Sequence, residues 1–243
     1  MFPSRPKPLP ELDEGFLLSV VIPVYNEIGT LEEIFERVQN VEIPKEIVFV
    51  DDGSTDGSRE VLEKFEGEDN VRVIFHEKNR GKGAALRTGF EACQGQVVVI
   101  QDADLEYDPR DFWKILRPYF EADADVVYGS RFLVDEYARV HLYFHYLGNR
   151  FLTNLSNITT GLNLTDMETC YKSFRREVLQ GIEIESRGFT VEAELTAKVA
   201  KKQVKVFEVP INYAGRNYSE GKKITWKDGV ATLWAILYFR FKR

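Results

Sequence analysis

Hydrophobic positions fall in two rhythms along the first half of the chain. Leu17 to Val24 (LLSVVIPV) is a continuous apolar, β-branched run stopped by Tyr25-Asn26-Glu27, and from Thr30 to Val38 the residues Leu31, Ile34, Phe35 and Val38 stand at helical spacing. This strand, loop and helix recurs. Glu46 to Val50 reads as a strand ending in Asp51-Asp52-Gly53, Ser58 to Phe65 as its helix, and Val71 to Phe75 as a third strand. Gly83 to Cys93 makes the next helix, and Val97 to Gln101 a fourth strand running into Asp102-Ala103-Asp104. Nearly all-apolar strands alternating with helices predict an α/β fold, a mostly parallel sheet covered on both faces. Ligands of such open sheets bind beyond the carboxyl ends of the strands. Here those ends carry polar and acidic residues each time.

From Asp123 onward the rhythm is mixed. Val126 to Tyr128 predicts a short strand, Tyr143 to Ile158 and Glu192 to Lys201 helices, Val204 to Tyr213 a strand, and Trp226 to Phe241 a final helix. Residues 1–15 are proline-rich and then acidic, the composition of a loose leader. The reading is one domain over 16–221 followed by a C-terminal amphipathic helix over 222–243, with no internal repeat. In that last segment Lys222, Lys223, Lys227, Arg240, Lys242 and Arg243 surround Trp226, Val230, Leu233, Trp234, Leu237 and Tyr238. Basic flanks with an aromatic face describe a helix that lies on an anionic membrane, and equally one that packs on the sheet with its charges solvated.

Composition narrows the picture. The 243 residues are 44% hydrophobic and 29% charged, which excludes wholesale disorder. A formal charge of −7 argues against a chain that wraps a nucleic-acid backbone. Cys93 and Cys170 are too few for a disulfide framework or a four-ligand zinc site and read as small packed residues in a reducing, cytoplasmic setting. No run reaches the roughly eighteen apolar residues that a spanning helix needs, so the expected place is cytoplasmic or peripheral on a membrane. His76, His141 and His145 share no ligand spacing and read as satisfied or exposed histidines.

Three segments carry candidate chemistry. In QDADLEYDP (101–109), Asp102, Asp104 and Glu106 follow directly on a buried strand, and three alternating carboxylates there call for a compensating cation or solvent. Oxygen ligands suit Mg²⁺ or Mn²⁺, which completes its shell with water and substrate phosphate; a solvated acidic turn capped by Asp108 or Asp111 is the plainer alternative. In VDDGSTDGS (50–58), turn and cap chemistry accounts for Ser54, Asp56 and Gly57 but leaves Asp52, which could accept from a nucleobase ring N–H. In NRGKGAALRTG (79–89), backbone N–H groups and the Lys82 ammonium suit a diphosphate, although such a loop is also an ordinary joint before a helix.

Together with VVIPVYNE (20–27) and YGSRF (128–132), these segments resemble the family-2 glycosyltransferases of the GT-A type over roughly residues 17–215, five motifs agreeing in order and spacing. Within that family the chain looks most similar to the polyprenyl- or dolichyl-phosphate sugar transferases. The resemblance implies that Pro23, Tyr25, Glu27 and Asp52 surround the nucleoside, that Lys82 and Asp102 flank the ribose and diphosphate, and that Asp104 and Glu106, with Asp102, hold the metal. It also implies that Arg131 faces the acceptor phosphate by bidentate hydrogen bonding, with Arg150 a second such arginine or a surface ion pair. Asp166 and Glu168, in TDMETCYKSF, are candidates for a base or for holding the donor sugar, or else cap a turn. Glu106 departs from the glutamine usual in the mannosyl-transferring members, and the added charge should tighten a metal. The expected activity is metal-dependent inverting transfer of a sugar from a UDP- or GDP-sugar to a polyprenyl phosphate, which is already ionised and needs no strong base. Transfer to a hydroxyl, with Asp166 or Glu168 as base, and non-catalytic nucleotide-sugar binding are the alternatives.

Overall fold

The structure is a computed structural model that describes residues 11–134, 143–215 and 226–242, the side chains of the last segment from Asp228 onward. Most of the leader, His141, Lys222, Lys223 and Arg243, and the Trp226 and Lys227 side chains, lie outside the described residues. In chain order the elements are β1 (Leu18–Val24), α1 (Leu31–Gln39), β2 (Lys45–Asp51), α2 (Ser58–Phe65), β3 (Val71–Phe75), α3 (Lys82–Ala92) and β4 (Val97–Ile100). A 3₁₀ turn at Pro109–Asp111 then leads into α4 (Phe112–Glu121), β5 (Val126–Ser130), α5 (Tyr143–Thr160), β6 (Lys172–Arg175), α6 (Arg176–Leu179), α7 (Val191–Lys202), β7 (Val206–Pro210) and α8 (Trp226–Phe241).

The strands form one seven-stranded sheet in the order β3-β2-β1-β4-β6-β5-β7. All neighbours run parallel except β6, which is antiparallel to both β4 and β5. This is the mostly parallel α/β sheet expected from the sequence. Alternate residues of β1 feed opposite faces: Leu18, Val20, Ile22 and Val24 join the core cluster of Leu31, Ile34, Leu62 and Phe112, while Val21 joins the one that holds Leu86, Leu195 and Ile236. Burial on both faces is why these strands read as unbroken apolar runs.

Two elements depart from the expected pattern. β6 has only four residues, KSFR, with no apolar run to announce it. It forms because β4 and β5 stand on either side, pairing Val98 and Val126 with Phe174. The strand expected over Val204 to Tyr213 stops at Pro210, because the Asn212 N–H turns away to the Asp111 carboxylate at 2.6 Å. Tyr213 rejoins the structure by a single bridge to Tyr107.

The reversed direction of β6 decides what reaches the rim. Its first residue, Lys172, pairs with Tyr128, so residues 166–172 arrive at the same edge as Asp102 and Arg131. α8 packs on α7 and α5 rather than directly on the sheet, burying Ala235, Ile236 and Phe239. Its other side exposes Val230, Trp234, Leu237, Tyr238 and Phe241, so the helix is apolar on both sides instead of amphipathic. With Glu185, Ser186 and Thr190 it borders a groove of about 630 Å³.

Candidate active site

At the first two strand ends the loops are tied to each other. Asn26 N–H donates to Ser54 Oγ, Glu27 N–H to Ser58 Oγ and Ile28 N–H to Asp56 Oδ2, while Thr55 N–H donates to Asn26 Oδ1. Pro23 is half-buried at the end of β1, Tyr25 is 40% exposed beyond it, and the Glu27 carboxylate lies beside Thr30 Oγ1. The Thr30 hydroxyl also donates to the Ala103 carbonyl at 2.6 Å, joining this wall to the acidic loop after β4.

Asp52 stands differently from the sequence expectation. It is 3% exposed, and its two oxygens accept from the N–H groups of Arg80 and Gly81 at 2.7–3.1 Å and meet His76 Nδ1 at 2.7 Å. His76 is in turn fixed by Thr88 Oγ1, which makes it a satisfied histidine, as expected. The Asp52 carboxylate therefore seats the 79–81 loop instead of presenting itself to a nucleobase.

The backbone part of the diphosphate expectation at that loop is corrected in the same way. The Gly83 N–H donates to the Arg187 carbonyl, and a side chain at Gly81, whose φ is +93°, or at Gly83 would overlap the carbonyl oxygens of Arg187 and Ser186. Segment 185–187 is itself held by Glu194, which accepts from the Glu185 and Ser186 N–H groups. The Arg80, Gly81 and Gly83 N–H groups are thus spent inside the protein. What it offers is the Lys82 ammonium, 2.8 Å from Asp102 Oδ1, 3.1 Å from Cys170 Sγ and 3.5 Å from Glu192 Oε1. Burial alone would lower Lys82 and raise Asp102; their mutual attraction outweighs it, so Lys82 titrates well above its usual range and Asp102 below. Cys170, expected as a packed residue, is a contact of this ion pair, while Cys93 is buried and plain.

Next to it, beyond β5, Arg131 donates through Nε and one terminal nitrogen to the two oxygens of Asp166, both at 2.7 Å, and its backbone N–H adds a third bond at 3.1 Å. The arginine fork expected for an acceptor phosphate is filled by a carboxylate. Asp166, fully buried, is held ionised by Arg131 against a burial effect that would raise it, and so is unsuited to act as a base near neutral pH. Glu168 is the opposite case: burial pushes its carboxyl up to about 7. Arg150 sits half-exposed on α5 and makes no ion pair among the described residues.

Asp104 and Glu106 follow Asp102 on the acidic loop. Asp104 Oδ1 accepts the Glu106 N–H at 3.1 Å, and Glu106 Oε2 accepts from the Tyr213 hydroxyl at 2.7 Å. The three carboxylates do not converge: among the described residues no three histidine, cysteine or acidic side chains are grouped to hold a metal. Lys82 pairs with Asp102, and the Tyr213 hydroxyl donates to Glu106. This donor set still fits a hard cation that takes one or two carboxylates and shares the rest of its shell with a diphosphate; it does not fit a closed three-carboxylate cage. The Asp108 carboxylate caps the following 3₁₀ turn.

The model of the family described as glycosyl transferase family 2 matches residues 19–182. The chain belongs to this family. Among curated family members it is 31% identical over 209 residues to the dolichol-phosphate mannosyltransferase of Pyrococcus furiosus, covering 84% of this chain and 58% of that protein. It is 29% identical over 211 residues to the polyprenol monophosphomannose synthase of Mycolicibacterium smegmatis, covering 84% of this chain and 79% of the other. Of solved structures, a glucosyl-3-phosphoglycerate synthase from Mycobacterium tuberculosis superposes with a TM-score of 0.73 at 21% identity, over 93% of this chain and 80% of that one. Further structures of that synthase were solved with UDP and Mn²⁺ or Mg²⁺.

Several residues of this rim carry no signal in the sequence. Lys172, fully buried, donates to the carbonyls of Met167 and Thr169 and to Glu192 Oε2 at 2.6 Å, and lies 4.8 Å from the Tyr128 ring centre. Glu192 opens α7, where it reads as an ordinary polar residue of a first helical turn. Tyr107, Tyr171 and Tyr213 pack ring against ring beneath the acidic loop, with Tyr107 Oη accepting the Cys170 N–H. Glu208, on β7, holds the turn at Thr165 and Asp166 by accepting both N–H groups.

Proposed function

We propose that this chain transfers a sugar from a nucleotide diphosphate to a polyprenyl phosphate, with inversion and with Mg²⁺ or Mn²⁺. The observation that carries the reading is the buried Lys82–Asp102 pair, set at the end of β4 immediately before Asp104. It puts one cation and two carboxylates where an open parallel sheet binds its ligand. Tyr25 offers an exposed ring on which a base can stack, beside the tied loops of Glu27 and Ser54. Lys82 would receive the diphosphate, and Asp104, with Asp102, would hold the metal. When bound, the metal supplies charge neutralisation of the departing diphosphate.

On the acceptor side the reading changes Arg131 from a phosphate clamp to a positioning residue. Its pairing with Asp166 fixes the turn after β5, while its remaining terminal nitrogen and Arg150 are the cations available to a phosphate monoester. A polyprenyl phosphate is anionic at neutral pH and attacks without a base. The apolar groove beside α8 and the exposed apolar sides of α5 and α8 suit an isoprenoid substrate held at a membrane surface. The names of the two curated relatives support this substrate class.

A hydroxyl acceptor is the second reading, favoured by Glu168 with its carboxyl raised to about 7. The deciding experiment incubates the protein with a panel of UDP- and GDP-sugars, with or without a short polyprenyl phosphate, in Mn²⁺, Mg²⁺ or a chelator, and measures nucleotide release and lipid-linked sugar. Metal-dependent release that needs the lipid phosphate supports the proposal. Release with a hydroxyl acceptor alone, abolished in Glu168→Gln, replaces it with the second reading.

A further inference from the structure

Two residues that line the groove beside α8, Glu185 and Phe239, also line a second cavity of about 350 Å³ at the C-terminal ends of α7 and α8. Both volumes are of the size that takes a small ligand, about 300–1,000 Å³. Their chemistry differs. Val230, Ala231, Trp234 and Tyr238 line the groove, and Tyr238 stacks on Trp234 with ring centres 4.5 Å apart. The cavity is lined by Lys198, Lys201, Lys202 and Lys242, with Phe239 at its apolar border. Arg240 belongs to the same cluster: burial, and then repulsion from Arg240 and Lys198, lowers Lys201. Five cations so gathered stand out in a chain whose net charge is −7.

Only part of this charge is used within the protein. Lys198 pairs with Glu185 and Glu194, and Lys242 with Glu185. Lys201 donates to the Lys242 carbonyl, and the Lys202 ammonium lies over Gly181, 2.3 Å from where a Cβ there would stand. Among the described residues no carboxylate pairs with Lys201, Lys202 or Arg240. Like charges held together in this way favour an anion between them. That anion is not at the rim. Glu192, beside Lys82, opens α7, and Lys201 stands nine residues further on, about 13 Å at 1.5 Å per residue. A phosphate at the lysines is therefore out of reach of the Lys82–Asp102 pair.

We propose that the cavity between α7 and α8, with the adjoining Tyr238 end of the groove, binds an anionic phospholipid of a bilayer. Its phosphate lies among Lys201, Lys202 and Arg240, and its apolar part against Tyr238 and Trp234. This ligand is separate from the acceptor of the proposed reaction: the Val230 end of the groove, beside Thr190 at the start of α7, stays open to an isoprenoid chain. The apolar half selects an amphiphile over inorganic phosphate, and the cations select an anionic lipid over a neutral one. In surface binding of this kind the apolar area and the attraction to anionic headgroups add. The inference goes beyond the transferase reading, and its test needs no turnover.

The test uses the whole chain and measures binding by calorimetry. Wild-type protein is titrated with monomeric dihexanoyl phosphatidylglycerol, dihexanoyl phosphatidylcholine, glycerol phosphate and inorganic phosphate. Phosphatidylglycerol should bind saturably, one per chain, and the other three about tenfold more weakly or worse, as loss of a contact to a charged group does. Lys201→Ala with Lys202→Ala should weaken phosphatidylglycerol about tenfold. Arg37→Ala with Lys64→Ala, which removes the same charge from α1 and α2 on the other face of the sheet, should leave it unchanged. Melting curves verify that both variants fold. Phosphatidylcholine bound as tightly, inorganic phosphate bound as tightly, or affinity unchanged by the lysine substitutions overturns the site. Displacement of phosphatidylglycerol by a short polyprenyl phosphate of equal affinity makes it a holding place for the acceptor and overturns it too. The ligand series on wild type involves no substitution, so a variant that fails to fold does not remove the test. The transferase reading stands or falls separately, on nucleotide release.

Discussion

At the residue scale, the acidic side chains of the rim divide by what neutralises them. Asp52 accepts two backbone N–H groups and a histidine, and so behaves as a peg for the 79–81 loop. Asp52→Asn should cost about 1–3 kcal/mol, the range for a buried charged acceptor whose donors lose their partner. Urea denaturation measures it, and weaker nucleotide-sugar binding should accompany it. Stability unchanged by the substitution would show that the peg carries no load. Glu168 gives a pH signature. Its folded value, about 7, lies above its ordinary 4.5, so the folded state holds the proton more tightly. It contributes stability below pH 4.5 that is lost as pH rises through 7, by at most about 3 kcal/mol from 1.36 kcal/mol per unit. Asp102 and Asp166, held low by Lys82 and Arg131, work in the other sense and lose their contribution as pH falls. Wild type minus Glu168→Gln, followed by urea melts between pH 4.5 and 8, isolates the Glu168 slope; a flat difference would show that the carboxyl titrates normally.

The element scale shows what the sequence makes legible and where it stops. Strand ends carrying Asp51-Asp52, Asp102 and Arg131 can be read from local pattern, because a buried parallel strand announces itself by an unbroken apolar run. Partners cannot. Glu106 and Tyr213 are 107 positions apart and Lys82 and Cys170 are 88, so no local spacing reports that Tyr213 satisfies the carboxylate assigned to a metal. β6 stayed hidden for a related reason: a four-residue strand between two existing strands takes its conformation from them rather than from its own composition. The joint between α3 and segment 185–187 belongs to this scale as well. Gly83→Ala places a methyl group against the Ser186 carbonyl, a backbone atom fixed by Glu194, so the segment must shift. We expect a loss of about 1–3 kcal/mol, as for other overpacked sites, despite alanine's better helix propensity. We also expect weaker donor binding, since Lys82 is the preceding residue. Thermal melts and nucleotide titration read the two effects; a variant with wild-type melting and affinity would show that the joint is slack.

For the whole molecule, the question is what covers the apolar exterior. α5 exposes Phe144, Leu147, Phe151 and Ile158, and the adjoining α8 exposes Trp234, Leu237 and Phe241. No helix among the described residues is long and apolar enough to cross a membrane. Under the proposed lipid-linked substrate, this face is expected to lie on a membrane surface. Trp234→Ser with Phe241→Ser should lower sedimentation with anionic vesicles several-fold while turnover of a short, water-soluble polyprenyl phosphate persists. Co-sedimentation equal to wild type would place the membrane contact elsewhere.

The one reversed strand also orders the assembly of the sheet in time. β3-β2-β1-β4 is built from residues 18–100 alone, so this half can close while the rest of the chain is still being synthesised. β5 has no place to dock until residues 172–175 exist, because β6 is its only route to β4. The carboxyl ends of β1, β2 and β4 thus belong to a unit completed first in synthesis. Arg131, Glu168 and Glu192 belong to a late one, attached through a seam of three residue pairs, Val97 with Arg175, Val98 with Phe174 and Val99 with Ser173.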